Sequence, residues 1–150
     1  MSLSFEIKPL VGLSELAFGA PMSVAETAMG KAEETELLDE IEEFRSTVWH
    51  YWENGFSLFF DDNSRLFCCV EIDNDEVVLW GKKIFDLTEK QIIDLFKSKG
   101  IGAFETEQHE WGEKRLSFDE VNIDFYFEKN KLSSINYGKS EIDLPLILPN

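Results

Sequence analysis

The chain has 150 residues, 43% of them apolar and including 13 Phe and 4 Trp, which suits one hydrophobic core and excludes a disordered segment. Against 14 basic residues stand 30 acidic ones, and the formal net charge of -16 repels nucleic acid and anionic lipid, leaving a basic protein as the favoured macromolecular partner. No basic segment leads into an apolar run near Met1, the apolar runs fall far short of the ~20 residues a membrane span needs, and Cys68 and Cys69 are adjacent, so the reading is a reduced, cytoplasmic protein away from membranes.

In chain order, residues 5–13 alternate as a short strand ended by Pro9 or by a turn at Gly12. Ser23 to Met29 reads as a helix opened by the capping box Ser23-x-x-Glu26 and closed by Gly30. The densest acidic run follows, and within it Leu37, Leu38, Ile41 and Phe44 fall at helical spacing, predicting an amphipathic helix over Glu34 to Phe44 with an acidic outer face.

From Thr47 the period becomes two. Val48 to Glu53, a turn at Asn54-Gly55, Phe56 to Phe60, a turn at 61–64 and Leu66 to Ile72 make two hairpins. Alternation sends Cys68 and Cys69 to opposite faces, where a disulfide between them would be strained. Val77 to Trp80 reads as a linking strand. Thr88 to Lys99 is a helix with the box Thr88-x-x-Gln91, a stripe of Ile92, Ile93, Leu95 and Phe96, and Gly100 after its end. Strands follow over 104–111, 114–118, 122–128 and 131–137, with a tight turn at Lys129-Asn130, and Pro145 and Pro149 make the tail an extended arm.

The same order of signals occurs twice. Gly55-Phe56-Ser57-Leu58-Phe59-Phe60-Asp61 matches Asn122-Ile123-Asp124-Phe125-Tyr126-Phe127-Glu128, and each run follows a capped helix that closes on a glycine. The expected fold is α+β: two tandem helix-plus-antiparallel-hairpin repeats, about 5–74 and 75–140, in a single compact unit spanning 1–150 with an arm at 141–150. They form a mainly antiparallel sheet with the helices packed on one face. Phe56, Leu58, Phe60, Ile123, Phe125 and Phe127 point into the core; Ser57, Phe59, Asp124 and Tyr126 point to a second face that is partly covered or binds something.

This tandem pattern resembles the beta-lactamase-inhibitor-protein-like fold of two helix-plus-sheet repeats. The run Phe5-Glu6-Ile7-Lys8-Pro9 with Gly12, Phe18-Gly19, Met22-Ser23 and Met29-Gly30 is also similar to small acidic bacterial cytosolic proteins suspected of being immunity proteins of contact-dependent or polymorphic toxin systems. The resemblance carries over no active-site residue. It departs from the inhibitor proteins, which are secreted and disulfide-linked, and so points away from inhibition of a beta-lactamase.

Catalytic signatures are sparse. His50 and His109 both sit beside tryptophans without metal-ligand spacing, and strand packing accounts for them. The pairs Asp61-Asp62 and Asp119-Glu120 read as turn formers, and no glycine run makes a phosphate loop. No catalytic residue, metal or cofactor is assigned. The partner-binding candidates are Glu33, Glu36, Asp39, Glu40 and Glu43 on the acidic segment, with Trp49, Trp52 and Trp111 as aromatic anchors; a solvated helix face and core tryptophans are the plainer readings of the same residues. The expected function is a non-enzymatic immunity protein that neutralises a cognate basic toxin, a nuclease among the candidates. The alternatives are a module self-associating through Phe59 and Tyr126 and, least supported, a metal-dependent hydrolase using His50 or His109.

Overall fold

The computed structural model describes residues 5–38, 45–110 and 112–139. Its architecture is α+β. The first half contributes β1 (Glu6–Lys8), β2 (Gly12–Leu13), β3 (Leu16–Ala17), α1 (Met22–Met29), β4 (Glu34–Leu38), β5 (Ser46–Tyr51), β6 (Phe56–Asp61) and β7 (Phe67–Ile72). The second half contributes β8 (Val78–Leu79), β9 (Lys82–Lys83), α2 (Glu89–Ser98), β10 (Glu105–Gln108), β11 (Glu113–Phe118), β12 (Ile123–Glu128) and β13 (Lys131–Gly138).

Each half builds an antiparallel meander, and the two meanders join through their last strands into one eight-stranded sheet ordered β10-β11-β12-β13-β7-β6-β5-β4. The join is antiparallel, with Ile135 opposite Ile72 and Tyr137 opposite Val70, so a pseudo-two-fold axis normal to the sheet exchanges the halves. The relation reaches the irregularities. A register shift between Phe59 and Phe60 has its counterpart between Tyr126 and Phe127, and Gly55 and Asn122, which precede the matching strands, both adopt positive φ (69° and 54°). A second, five-stranded sheet, β3-β2-β1-β8-β9, links the halves through a parallel β1–β8 pair.

The core lies between this small sheet, the helices and one face of the large sheet. Phe56, Leu58, Phe60, Ile123, Phe125 and Phe127 are all buried there, as alternation requires. Phe96 of α2 stacks on Phe118 (centroids 4.0 Å apart) and meets Phe125 edge-on, which seats α2 on the sheet. Ala25 seats α1 on the same side.

Three expectations are corrected. The segment from Glu34 is a strand: β4 pairs with β5 over Glu34–Leu38, while residues 39–44, including Ile41 and Phe44, lie outside the described residues. A helix there would stack like charges one turn apart, at Glu36 with Glu40 and Asp39 with Glu43, whereas a strand places Glu34 and Glu36 beside His50 and Val48. At α1 the cap position is Pro21 and Ser23 lies inside the first turn, so the box with Glu26 does not form; the box of Thr88 and Gln91 on α2 does. Cys68 and Cys69 do not alternate, because Cys68 is the extra residue of the bulge: Phe59 pairs with Cys69 and Phe60 with Phe67, and the two thiols lie close enough to perturb each other's ionisation.

Candidate functional site

The second face of the large sheet carries His50, Ser57, Phe59, Asp124 and Tyr126 and buries Val48 and Ser117. At its β4–β5 corner, the Asn54-Gly55 turn reverses the chain tightly; Gly55 holds positive φ, and a Cβ there would lie 2.7 Å from Asp73 Oδ1. The side-chain amide of Asn74 donates to the Asn54 carbonyl (2.8 Å), tying the turn to the chain beyond β7.

This turn fixes Trp52 just past the end of β5. The Trp52 side chain is 58% exposed yet held at two points. Its ring stacks on His50 (centroids 4.2 Å apart, planes within 11°), and its Nε1–H donates to Glu34 Oε1 at 3.1 Å. His50 in turn sits 2.9 Å from Glu36 Oε1 through Nε2 and 2.7 Å from Ser57 Oγ through Nδ1. A carboxylate accepts only, so Nε2 carries a proton, and in the neutral ring Nδ1 accepts from the Ser57 hydroxyl. Glu33 reaches back from the other side, its Oε2 accepting the Glu53 N–H at 3.1 Å.

Beneath Trp52 a cavity of about 220 Å³ is lined by His50, Ser57, Glu71, Asp73 and Ser133. Crowding by neighbouring side chains and the Asp73 charge push the Glu71 pKa up, with His50 opposing them.

The order serine, histidine, glutamate resembles a nucleophilic triad, but the setting is wrong for one. Ser57 is sunk in the middle of the sheet at 7% exposure, where alternating ladder bonds engage the strand N–H groups that would otherwise form an oxyanion hole. The surrounding carboxylates would also repel an oxyanion. The pseudo-two-fold supplies a further reason. At the positions equivalent to His50 and Ser57, Ser117 donates to Asp124 (2.5 Å), and Arg115 pairs with Glu107 (3.0 Å) where Val48 lies beside Glu36 in the first half. Both halves lace this face with polar contacts from the edge strand inward, as a structural network does.

Of the sequence candidates, Glu33, Glu36 and Trp52 meet at this corner. Trp49 points the other way, half-buried against Phe60 (4.6 Å). Asp39, Glu40, Glu43 and Trp111 lie outside the described residues. His109 lies beyond β10, 3.8 Å from Glu107. Phe59 and Tyr126 do occupy the second face, each half-buried. Sequence reasoning missed Glu34, Ser57, Glu71 and Asp73. The hairpin register fixed by Asn54-Gly55 places Ser57 opposite His50 and was the available signal for that pair. Among the described residues no three His, Cys, Asp or Glu side chains gather to hold a metal ion, and no helix is long and apolar enough to cross a membrane.

No family model matches the chain, and no curated protein matches it. Among solved structures it is similar to an extracellular protein containing an SCP domain from Bacillus anthracis str. Ames, with a TM-score of 0.49 and 13% identity over 84% of this chain. The chain spans 45% of the length of that structure, a likeness too slight to carry an argument.

Proposed function

We propose that this chain is a non-enzymatic, cytoplasmic binding protein of the immunity class, which neutralises a basic toxin domain by covering its active surface. The observation that carries this reading is Trp52: a large aromatic side chain more than half exposed, already fixed by His50 and Glu34 and ringed by Glu33, Glu34, Glu36 and Glu53. Exposed aromatics that keep one geometry lose little entropy on binding, and anchors of this kind dominate interface energies. Carboxylates around such an anchor complement the cationic surface that a nuclease presents to phosphate, and they speed capture. The chain's net charge of -16 acts in the same direction at longer range.

The test is recovery of tagged chain from its host cells at low and high salt, followed by co-expression of any partner with and without the chain. A basic partner held one-to-one, released by salt, lost with Trp52→Ala and toxic unless the chain is present is the expected result. A partner held equally by the Trp52→Ala and Glu34→Lys variants, or a partner harmless on its own, overturns the reading.

A further inference from the structure

The large sheet ends in two edge strands, β4 and β10, that the pseudo-two-fold relates but that differ chemically. The paired registers match Glu34 to Glu105, Thr35 to Thr106, Glu36 to Glu107 and Leu37 to Gln108. Every residue of both strands is exposed. An unpaired edge invites another strand unless charge, proline or a bulge blunts it, and β10 is polar throughout. Where β10 has Gln108, β4 presents Leu37 at 55% exposure, and Leu38 follows it at 36%.

The backbone of β4 is equally available. Asp62 N–H bonds the Arg45 carbonyl, so in the β5–β6 register Arg45, Thr47, Trp49 and Tyr51 direct their backbone groups to β6. Ser46, Val48 and His50 therefore bond β4 at Leu38, Glu36 and Glu34. Thr35 and Leu37 are left with N–H and C=O aimed outward, along an edge that no other described strand pairs with.

Side-chain alternation then specifies what fits. Glu34 and Glu36 lie on the second face, next to Trp52 and His50, whereas Thr35 and Leu37 lie on the opposite face. An added strand would set every other side chain beside carboxylates and the rest beside apolar surface. A second copy of this chain fits poorly, since β4 pairing with itself would oppose glutamates on one face. We propose that the outer edge of β4 receives, as an added strand, an extended segment of a basic partner in which Lys or Arg alternates with apolar residues. This rests on the proposed function and adds to it the mode of recognition.

The test uses the full chain and a synthetic ten-residue peptide alternating Lys with Val, with binding followed by Trp fluorescence and calorimetry. Thr35→Pro removes one outward N–H while keeping both carboxylates and the bonds to β5, because proline is tolerated on an edge; Thr35→Val keeps the N–H. The expected result is binding to the native and Thr35→Val chains and about tenfold weaker binding to Thr35→Pro. N-methylation of alternate peptide residues should give the same loss with the protein unaltered, so misfolding of the variant cannot explain it.

Equal affinity for all chains and for the methylated peptide means attraction by charge alone and overturns strand addition, as does equal binding of a Glu-Val peptide. Self-association abolished by Thr35→Pro would assign the edge to a second copy and overturn it too. Loss of a toxin partner with Trp52→Ala but not Thr35→Pro defeats strand addition alone. Peptide binding that depends on Thr35, with no toxic partner, defeats the immunity role alone.

Discussion

Glu71 of β7 and Asn136 of β13 face each other at the centre of the large sheet, and the pseudo-two-fold axis passes between them. One position has become an acid and its equivalent an amide, which halves the charge an exact repeat would place at this junction.

That acid carries a pH signature. Crowding and the Asp73 charge raise the Glu71 pKa above its ordinary carboxylate value, outweighing His50. For an acid with a raised folded pKa, the associated stability is present below the unfolded value and is lost as pH rises through the folded one. Glu71→Gln is therefore expected to stabilise the chain at neutral pH. The gain is no more than about 0.5 kcal/mol, because solvent reaches the carboxyl group. Thermal unfolding at neutral pH and at about pH 3, below the ordinary glutamate value, should show the gain only in the former. A gain at both would mean that packing, not charge, distinguishes Glu71 from Gln.

The two helices differ in how they begin. Thr88 accepts the Gln91 N–H (3.2 Å) while the Gln91 side chain accepts the Thr88 N–H (2.9 Å). Ser23, although it has Glu26 three residues on, is exposed inside the first turn, and Pro21 occupies the cap position. Thr88→Ala should cost about 1 kcal/mol. Ser23→Ala should be neutral or gain up to about 0.5 kcal/mol, since alanine is the better helix former. Denaturant midpoints of the two variants decide it; equal losses would restore a capping role for Ser23.

These helices also mark what the sequence made legible. The hairpins were, because Asn54-Gly55 and the period-two runs on both sides leave one register that buries Phe56, Leu58 and Phe60 together. The tandem repeat was as well. The fate of Glu34 to Leu38 was not, since Leu37 and Leu38 satisfy a helical period and the strand depends on pairing with β5, the next strand of the chain. Position 23 misled because a capping box is a local pattern, whereas the start of α1 is set by Pro21, which bridges to Leu66. The candidate site was half visible. Trp52 and Glu36 could be named, but Glu71 and Asp73 join them only when β7 lies beside β6.

All three tyrosines should resist ionisation in the folded chain. Burial and the Glu26 charge push Tyr51 up to about 12; burial pushes Tyr137 further, against the lowering effect of the Lys8 backbone; Tyr126 is raised by burial and Asp124. Each raised value means stability that is intact below the ordinary phenol pKa of about 10 and is lost as pH climbs through the folded values. Tyrosinate absorbance should therefore lag that of the denatured chain above pH 10, with Tyr126 ionising first and the rest appearing together with loss of circular dichroism. A single titration near the ordinary value with the fold intact would contradict the packing of Tyr51 and Tyr137.

Gly138 is the last residue of β13, and Cys69 lies directly opposite it. A Cβ at position 138 would sit 2.6 Å from Cys69 Sγ and 2.5 Å from the Cys68 carbonyl oxygen, both below any tolerable contact. The bulge creates this crowding. It turns the Cys68 thiol onto the Phe59 carbonyl (3.4 Å), as the equivalent Ser133 hydroxyl turns onto the Tyr126 carbonyl (3.0 Å). The neighbouring Cys69 thiol, with burial, raises the pKa of Cys68, while Cys68 lowers that of Cys69 against the effect of its burial. In the other half the residue equivalent to Gly138 is Asp73, and a serine, Ser134, replaces the larger cysteine opposite it. Gly138→Ala should cost about 1–3 kcal/mol through overpacking. Adding Cys69→Ala removes the sulfur but not the carbonyl, so the double variant should recover only part of that loss, with a coupling of about 0.5–1 kcal/mol by urea denaturation. Full recovery would place the whole conflict at the thiol and free the backbone of the bulge from any part in it.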